Sequence, residues 1–425
     1  MTAPHRSLWL EAALGDEDMS ALDEPARADV CIVGGGYVGL WTALRLKEWD
    51  PACNVILLEA EVCGGGASGR NGGMALSWWA KLPSLARLVG VEEAVRLCRL
   101  SADAVDEIEG FCAARGIDAH VVRGGWLWTA RTEAQLGAWE STVAFVERHA
   151  PGIFQRLPSV EVGRRTGSMS HLAGVLEPGA ATVQPALLAR GLRRAALDAG
   201  VRIHEHTPVQ RLHRASPARV HTPGGSVIAG TVILATNAWA AAVRELRRKL
   251  VVISSDIVAT APIPDRLEEI GWTGGESVTD SQQMIDYYRT TRDGRIAFGK
   301  GGWGIALGGR IPASFDRSER RAAGVTADWH HAYPMLRDVP IEHHWSGPID
   351  RTADGLPLLG ELGGHENILY GVGWAGNGVA PSVLGGRVLA AKALRRDDEY
   401  GSFPLWNRDA ASLPPEPIRY VGAHA

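Results

Sequence analysis

Apolar positions follow two rhythms along this chain, and their alternation predicts an α/β protein. Residues 30–33 (Val-Cys-Ile-Val) are a short apolar run of strand type, 38–46 carry apolar residues at helical intervals, and 55–58 (Val-Ile-Leu-Leu) form a second strand. From 82 to 149 the spacing is mostly helical, with Val95, Leu97, Leu100, Ala104, Val105, Ile108 and Phe111 at three- and four-residue steps. Within that block 121–129 is strand-like and 133–147 helix-forming, so it reads as a lobe inserted into the first unit. Gln184-Pro185-Ala186 opens a helix over 187–199, with Pro185 where a first-turn proline is tolerated. Strands over 201–204, 219–221 and 231–235, with a turn at 223–225, bring the chain back to the first sheet. Residues 251–345 are rich in strand pattern and aromatics (Tyr287, Tyr288, Trp303, Trp329, Trp345) and carry a hairpin turn at 291–295, which predicts a second, antiparallel sheet. A strand over 368–372 and a helix over 383–394 follow. The tail from Asp409 is polar and proline-bearing.

Three glycine-rich junctions punctuate this pattern. Gly34, Gly36 and Gly39 stand in the spacing Gly-x-Gly-x-x-Gly between the first strand and its helix, with Tyr37 and Val38 at the helix start. Gly34 permits a tight turn, Gly36 lets a pyrophosphate approach the backbone, and Gly39 lets the helix pack on the strand. The helix start offers free N–H groups and a positive dipole end. Glu59, followed by Ala60, ends the second strand and can accept both hydroxyl hydrogens of an adenosine ribose. Strand, helix, strand and terminal acid together predict a bound dinucleotide. The second junction, 63–73, threads Gly66, Ala67, Ser68, Arg70, Asn71, Gly72 and Gly73 close to a ligand, with Arg70 and Asn71 supplying charge and amide groups. The third holds Gly373, Trp374, Gly376, Asn377, Gly378 and Val379 just before the last helix.

The chain has 425 residues, 45% hydrophobic and 22% charged, with a formal net charge of -4. That is ordinary for a globular protein and gives no nucleic-acid footprint. No apolar stretch is long enough to span a bilayer, and residues 1–16 lack a secretion pattern, so a cytoplasmic protein is expected. Five cysteines (Cys31, Cys53, Cys63, Cys98, Cys112) without a CxxC read as reduced thiols, Cys63 being more a packing residue than a cofactor contact. The doublets His330-His331 and His343-His344 lack metal-site spacing, and no metal is expected.

On four segments the chain resembles flavin-dependent amine and amino-acid oxidases of the D-amino-acid oxidase class. These are Gly34 to Gly39 with Glu59; the run from Gly66 to Gly73; Ala235-Thr236-Asn237-Ala238-Trp239; and Asp354 to Gly360 followed by Gly371 to Gly378. The opening Ser7-Leu8-Trp9-Leu10 and the Gly-Arg-Asn-Gly-Gly run look most like the gamma-glutamylputrescine oxidase branch. The resemblance implies FAD, bound by the three junctions together with Ala235, Thr236 and Trp239. A helix end behind the third junction would stabilise the negative charge of a reduced flavin. It also implies a Rossmann-type FAD-binding domain built from separated segments (27–85, 165–250, 346–408). Beside it stands an α+β substrate domain with a mixed or antiparallel sheet (86–164, 251–345), flanked by an arm (1–26) and a tail (409–425). Relatives that tether FAD covalently use histidine or cysteine near these loops. Asn377 stands in the C-terminal loop here and the early run has no histidine, so non-covalent FAD is expected.

The resemblance implies oxidation of a primary or secondary amine to an imine, with O2 or another electron acceptor. Pocket walls are expected from Met74, Trp78, Trp374, and one of Tyr287 and Tyr288, which point to opposite strand faces. Amino-acid-oxidising relatives place an arginine before the Asp-Gly-Leu-Pro segment, whereas Ile349 and Asp350 stand here, followed by Arg351. Asp350 could attract an ammonium or cap a turn; Arg351 could bind carboxylate in an amino-acid oxidase. A flavoprotein subunit without its own turnover is a third reading. His171 and Asp280 are the only acid–base candidates, each better read as structural. Where sarcosine-oxidase-like relatives carry a lysine beside the flavin, Ala297 stands, with Lys300 on the opposite strand face.

Overall fold

The computed structural model describes residues 6–15, 17 and 20–422. Residues 1–5, 16, 18 and 19 of the expected arm and 423–425 of the expected tail lie outside them. A first sheet of eight strands has the order Leu358–Leu362, His365–Val372, Ser226–Leu234, Ala26–Val33, Val55–Leu58, Arg202–His204, with the short strands Arg211–His213 and Ala218–His221 attached as an antiparallel ribbon. The strand Ala26–Val33 lies parallel between Ser226–Leu234 and Val55–Leu58, so the glycine turn leaves the middle of the sheet. Residue alternation divides the two faces. Val30, Ile32, Val55 and Leu57 pack under the helices Tyr37–Trp49, Pro185–Asp198 and Pro381–Ala393, while Cys31, Val33, Ile56 and Leu58 pack on the other side.

The second sheet also has eight strands and is mixed, with one parallel pairing between Ser277–Thr279 and Trp126–Ala130. Its far face holds a core of Trp272, Tyr288, Phe298, Trp329 and Tyr333 that includes residues of the helix Glu319–Ala332. On its near face Ile257, Ala297 and Trp345 meet Trp9 and Leu10 of the opening helix Leu8–Ala13. The Rossmann-type and α+β architecture expected from the sequence is therefore present. Strand Ala173–Glu177, taken from sequence as part of the nucleotide-binding unit, pairs in the second sheet, and so does the end of Ile341–Arg351.

Local differences have local causes. The strand expected over 121–129 is confined to Trp126–Ala130, because Gly125 lies at φ +80° and a side chain on Gly124 would run into the Gly275 carbonyl. The helix expected over 133–147 is a short turn at Glu133–Gln135 and a helix at Glu140–His149, separated at Gly137, which sits at φ +75°. Pro185 stands in the first turn of its helix as expected, and Pro264 and Pro381 open two further helices in the same way.

Candidate functional site

At the first junction the glycines do what their spacing predicts. Gly34 lies at φ +112°, a conformation L side chains rarely adopt, and a Cβ on Gly39 would sit 2.0 Å from the Gly34 carbonyl oxygen. Helix Tyr37–Trp49 begins at Gly36 without a cap of its own, and Ser68 reaches across from the second junction to accept the Tyr37 N–H at 2.9 Å. Glu59 accepts the N–H of Gly35 at 2.7 Å and of Glu61 at 3.0 Å, and burial raises its pKa. Ala60 beside it is exposed.

The second junction is fastened on every side. Arg70 is buried, and its guanidinium is spent on the Gly65 carbonyl and on Asp316 and the Ser346 carbonyl of the second lobe. Asn71 closes the loop on itself, donating to Ala67 and Ser68 carbonyls and accepting from Gly73 N–H. From outside, Ser7 donates to the Gly69 carbonyl, Trp9 to that of Asn71 and Trp345 to that of Arg70. Tyr287 lies over Gly299 with its edge against Gly72, and its hydroxyl meets Ser255 at 2.6 Å. Two residues on, Arg289 donates to the carbonyls of Gly72 and Val183 at 2.8 and 2.7 Å and covers the Trp9 ring. Burial pulls its pKa down to about 10, and no carboxylate of the described residues pairs with it.

At the third junction Asp350 is the organiser. Its carboxyl is 0% exposed and accepts the N–H groups of Gly373 and Trp374, the latter at 3.0 Å, and the Asn237 side chain at 3.0 Å. Burial raises its pKa to about 7, against the pull of those hydrogen bonds. Asn377 donates to the Ser77 carbonyl at 3.1 Å, so the loop is tied to the chain leaving the second junction through Met74–Ala75. The buried atoms Asn237 Oδ1, Asn377 Oδ1 and Trp374 Nε1 have no partner among the described residues. Helix Pro381–Ala393 starts here without a side-chain cap, beside Val379 and Gly378. Ile349 points at the loop, its Cδ1 3.6 Å from where a Cβ on Gly376 would lie. Trp239, 47% exposed, leans over Gly66, while the Ala235 carbonyl closes on Gly34 and Thr236 starts the turn Asn237–Ala242.

Several expected wall residues stand elsewhere. Tyr288 faces the far core, stacked on Phe298 at 4.7 Å, because its neighbour Tyr287 takes the near face. Trp78 is buried among the helices, its N–H on Ser101. Trp374 packs its ring where a Cβ on Gly385 would fall. Asp350 is committed to turn-capping rather than held out to an amine. Arg351 is exposed at the strand end, and Met74 is half-buried in the short strand Met74–Ala75, paired with Ala181–Thr182. His171, whose burial pushes its pKa down to about 3, touches Tyr288 at 3.2 Å in the far core. Asp280 accepts backbone N–H groups of Gln282 and Asp286. Lys300 pairs with Asp286 and Asp328 on the far face, and Ala297 occupies the near one. Arg289 and Asn237 were not singled out by sequence; Arg289 shares a strand face with Tyr287, which is the signal that would have found it.

The three glycine junctions are thus tied together, the first to the second through Ser68 and the third to the chain leaving the second through Asn377. Residues 29–392 match the family model described as DAO, FAD dependent oxidoreductase. The chain belongs to this family. DAO-family relatives include a probable oxidoreductase OrdL of Haemophilus influenzae, 29% identical over 94% of this chain and 90% of that protein, and the gamma-glutamylputrescine oxidoreductase of Escherichia coli, 29% identical over 94% and 91%. Glycine oxidase from Geobacillus kaustophilus superposes with a TM-score of 0.74 at 25% identity, covering 91% of this chain and all of that one. The protein is a FAD-dependent oxidoreductase, and its own atoms fit the DAO cofactor. The uncapped helix starts at Gly36 and Ala380, the acid Glu59 and the partnerless Asn237 and Asn377 oxygens offer groups for phosphate, ribose and ring. No helix among the described residues is long and apolar enough to cross a membrane.

Proposed function

We propose that this DAO-family protein oxidises the C–N bond of a primary or secondary amine to an imine that hydrolyses, with O2 as acceptor. Ile349 carries the reading: the side chain at the cofactor loop is apolar, and the guanidiniums nearby, Arg70 and Arg289, are spent on backbone carbonyls and Asp316. The name of the Escherichia coli relative supports an amine, that of the Geobacillus relative an amino acid. An amino-acid oxidase would need Arg351, exposed at the strand end, to hold the carboxylate.

When bound, FAD supplies a two-electron acceptor. The chain's residues bind and orient. Gly36, Ser68 and Glu59 would hold the phosphate and ribose end, and the 373–379 loop with Asn377 the ring end. Tyr287 and Met74 would wall the reacting carbon and exclude water. With His171 remote and Asp280 held by N–H groups, this reading requires the substrate amine to be bound in its neutral form. Cys63 is buried under Gly35 with its thiol pKa pushed well up by burial, which supports non-covalent FAD. We assign 27–85, 165–250 and 346–408 to the FAD-binding domain, less the strand Ala173–Glu177 and residues 346–351 that belong to the second sheet, and 86–164 and 251–345 to the substrate domain, in a cytoplasmic enzyme.

Purified yellow protein screened against amines and amino acids decides the matter. Anaerobic bleaching of the flavin by amines with aerobic peroxide is expected. Bleaching by amino acids alone would replace this reading with the second, bleaching without peroxide would make it a dehydrogenase, and no bleaching would point to a subunit without turnover.

A further inference from the structure

Glu177 ends the strand Ala173–Glu177 of the second sheet and is 3% exposed. One carboxyl oxygen accepts the Ser77 hydroxyl at 2.5 Å; the other, Oε2, is buried and has no partner. Two other buried carboxyls of this sheet are neutralised by cations, and Asp350 spends both oxygens on N–H donors. Asp286 has Arg131 and Lys300, and Asp256 has Arg321. Glu177 makes no ion pair among the described residues. A buried carboxyl with a free oxygen destabilises the fold, and such a group in a native protein calls for a reason.

Its surroundings have the chemistry of a cation site. Directly across the sheet stands Trp126, whose side chain shares the face of Glu177. Trp126 stacks on Trp128 at 5.7 Å, and Trp128 meets Trp139 edge-on at 6.3 Å. The indole N–H of Trp126 is taken by Thr279, so it is the ring, not the N–H, that this residue can offer a ligand. Trp128 is only partly buried, so the tryptophan row runs from the rim towards the carboxyl. Aromatic faces beside a carboxylate attract organic ammonium ions. Ser77 connects this place to the cofactor: its hydroxyl binds Glu177 and its carbonyl holds Asn377 of the C-terminal glycine loop.

We propose that Glu177, with Trp126 beside it, binds a second cationic nitrogen of the substrate, which is therefore a diamine or a larger molecule with two amino groups. The inference rests on the amine-oxidase reading above. One nitrogen is oxidised at the cofactor loop; the other is held as an ammonium by Glu177, its charge replacing the missing counter-ion.

The test uses the FAD-loaded protein, the 1,4- to 1,8-diaminoalkanes and the alkylamines of equal length. In the wild type, kcat/KM is expected to favour the best diamine over its matched monoamine by about tenfold or more, the size of one charge-assisted contact. In Glu177→Gln, similar in shape but uncharged, that ratio should fall towards one, mainly through KM. In Glu177→Asp, which keeps the charge one methylene further back, the preferred diamine should lengthen by one carbon, an outcome a merely structural role does not produce. If Glu177→Gln fails to fold, the wild-type ratio and the aspartate variant still decide. Monoamines and diamines bleaching the wild-type flavin equally well would overturn the Glu177 inference alone, as would an unchanged ratio in Glu177→Gln. Absence of bleaching by both series would overturn the amine reading with it.

Discussion

Asn377 donates its side-chain N–H to the carbonyl of Ser77 at 3.1 Å, and so fixes the C-terminal glycine loop to the chain that leaves the Arg-Asn-Gly-Gly turn. Asn377→Asp removes the donor and sets a carboxylate against a carbonyl. Loss of one such contact is worth about 1.4 kcal/mol or more, a tenfold change in an equilibrium constant. FAD affinity, read by fluorescence titration of apoprotein, should fall by about tenfold or more. Equal affinity in variant and wild type would show that the tie does not shape the cofactor site.

Asp350 predicts a pH dependence. Burial raises its folded pKa to about 7, and that of Glu177 to about 7, so the folded protein binds these protons more tightly than the unfolded chain. Stability from both groups is full below the ordinary carboxylate range, falls as pH rises from about 4 to 7, and is flat above. Carboxyls held low by arginine, such as Glu245 beside Arg214, finish titrating below that window. Apoprotein melting temperature should therefore drop between about pH 4 and 7, each pH step of one costing up to about 1.4 kcal/mol per group. Asp350→Asn and Glu177→Gln should each flatten the curve. A wild-type profile already flat there would contradict the assignment.

Two glycines separate close packing from open space. A Cβ on Gly39 would lie 2.0 Å from the Gly34 oxygen, whereas one on Gly301 would meet nothing within 4 Å. Gly39→Ala must push the helix Tyr37–Trp49 off its strand, and a cost of about 1–3 kcal/mol with loss of bound FAD is expected. Gly301→Ala should keep its FAD and melt within a few degrees of wild type. Differential scanning and flavin absorbance of the two variants check the pair.

Arg289 holds two carbonyls at the junction of the glycine run and the Ala181–Thr182 strand with no counter-ion. Arg289→Gln keeps some donors and removes the charge. Stability should fall by about 1–3 kcal/mol, the usual cost of leaving buried carbonyls unpaired. Arg289→Lys should recover the charge without the two-pronged geometry and sit between the two in melting temperature. Indistinguishable melts for all three would mean the carbonyls find other partners.

Much of this architecture was legible because it depends on short-range pattern. Val30 to Glu59 places strand, turn, helix and acid within thirty residues, and steric rules fix each of them locally. The inserted lobe was blurred where glycines at 124, 125 and 137 interrupt a pattern that apolar spacing alone continues. The substrate side was least legible, since which face of a strand looks at the cofactor depends on pairing across hundreds of residues. Tyr287 and Tyr288 are equivalent in sequence, and only the register with Gly299 and Phe298 sends one to the glycine run and the other to the far core. Asp350 was read two ways because its donors, Gly373 and Asn237, lie far along the chain.

The opening helix has a consequence for how the two lobes stay together. Ser7 and Trp9 settle on Gly69 and Asn71, and the Trp9 ring meets Trp345 edge-on at 5.6 Å. The short opening helix is thus a clasp, holding the glycine run and the second sheet together from outside.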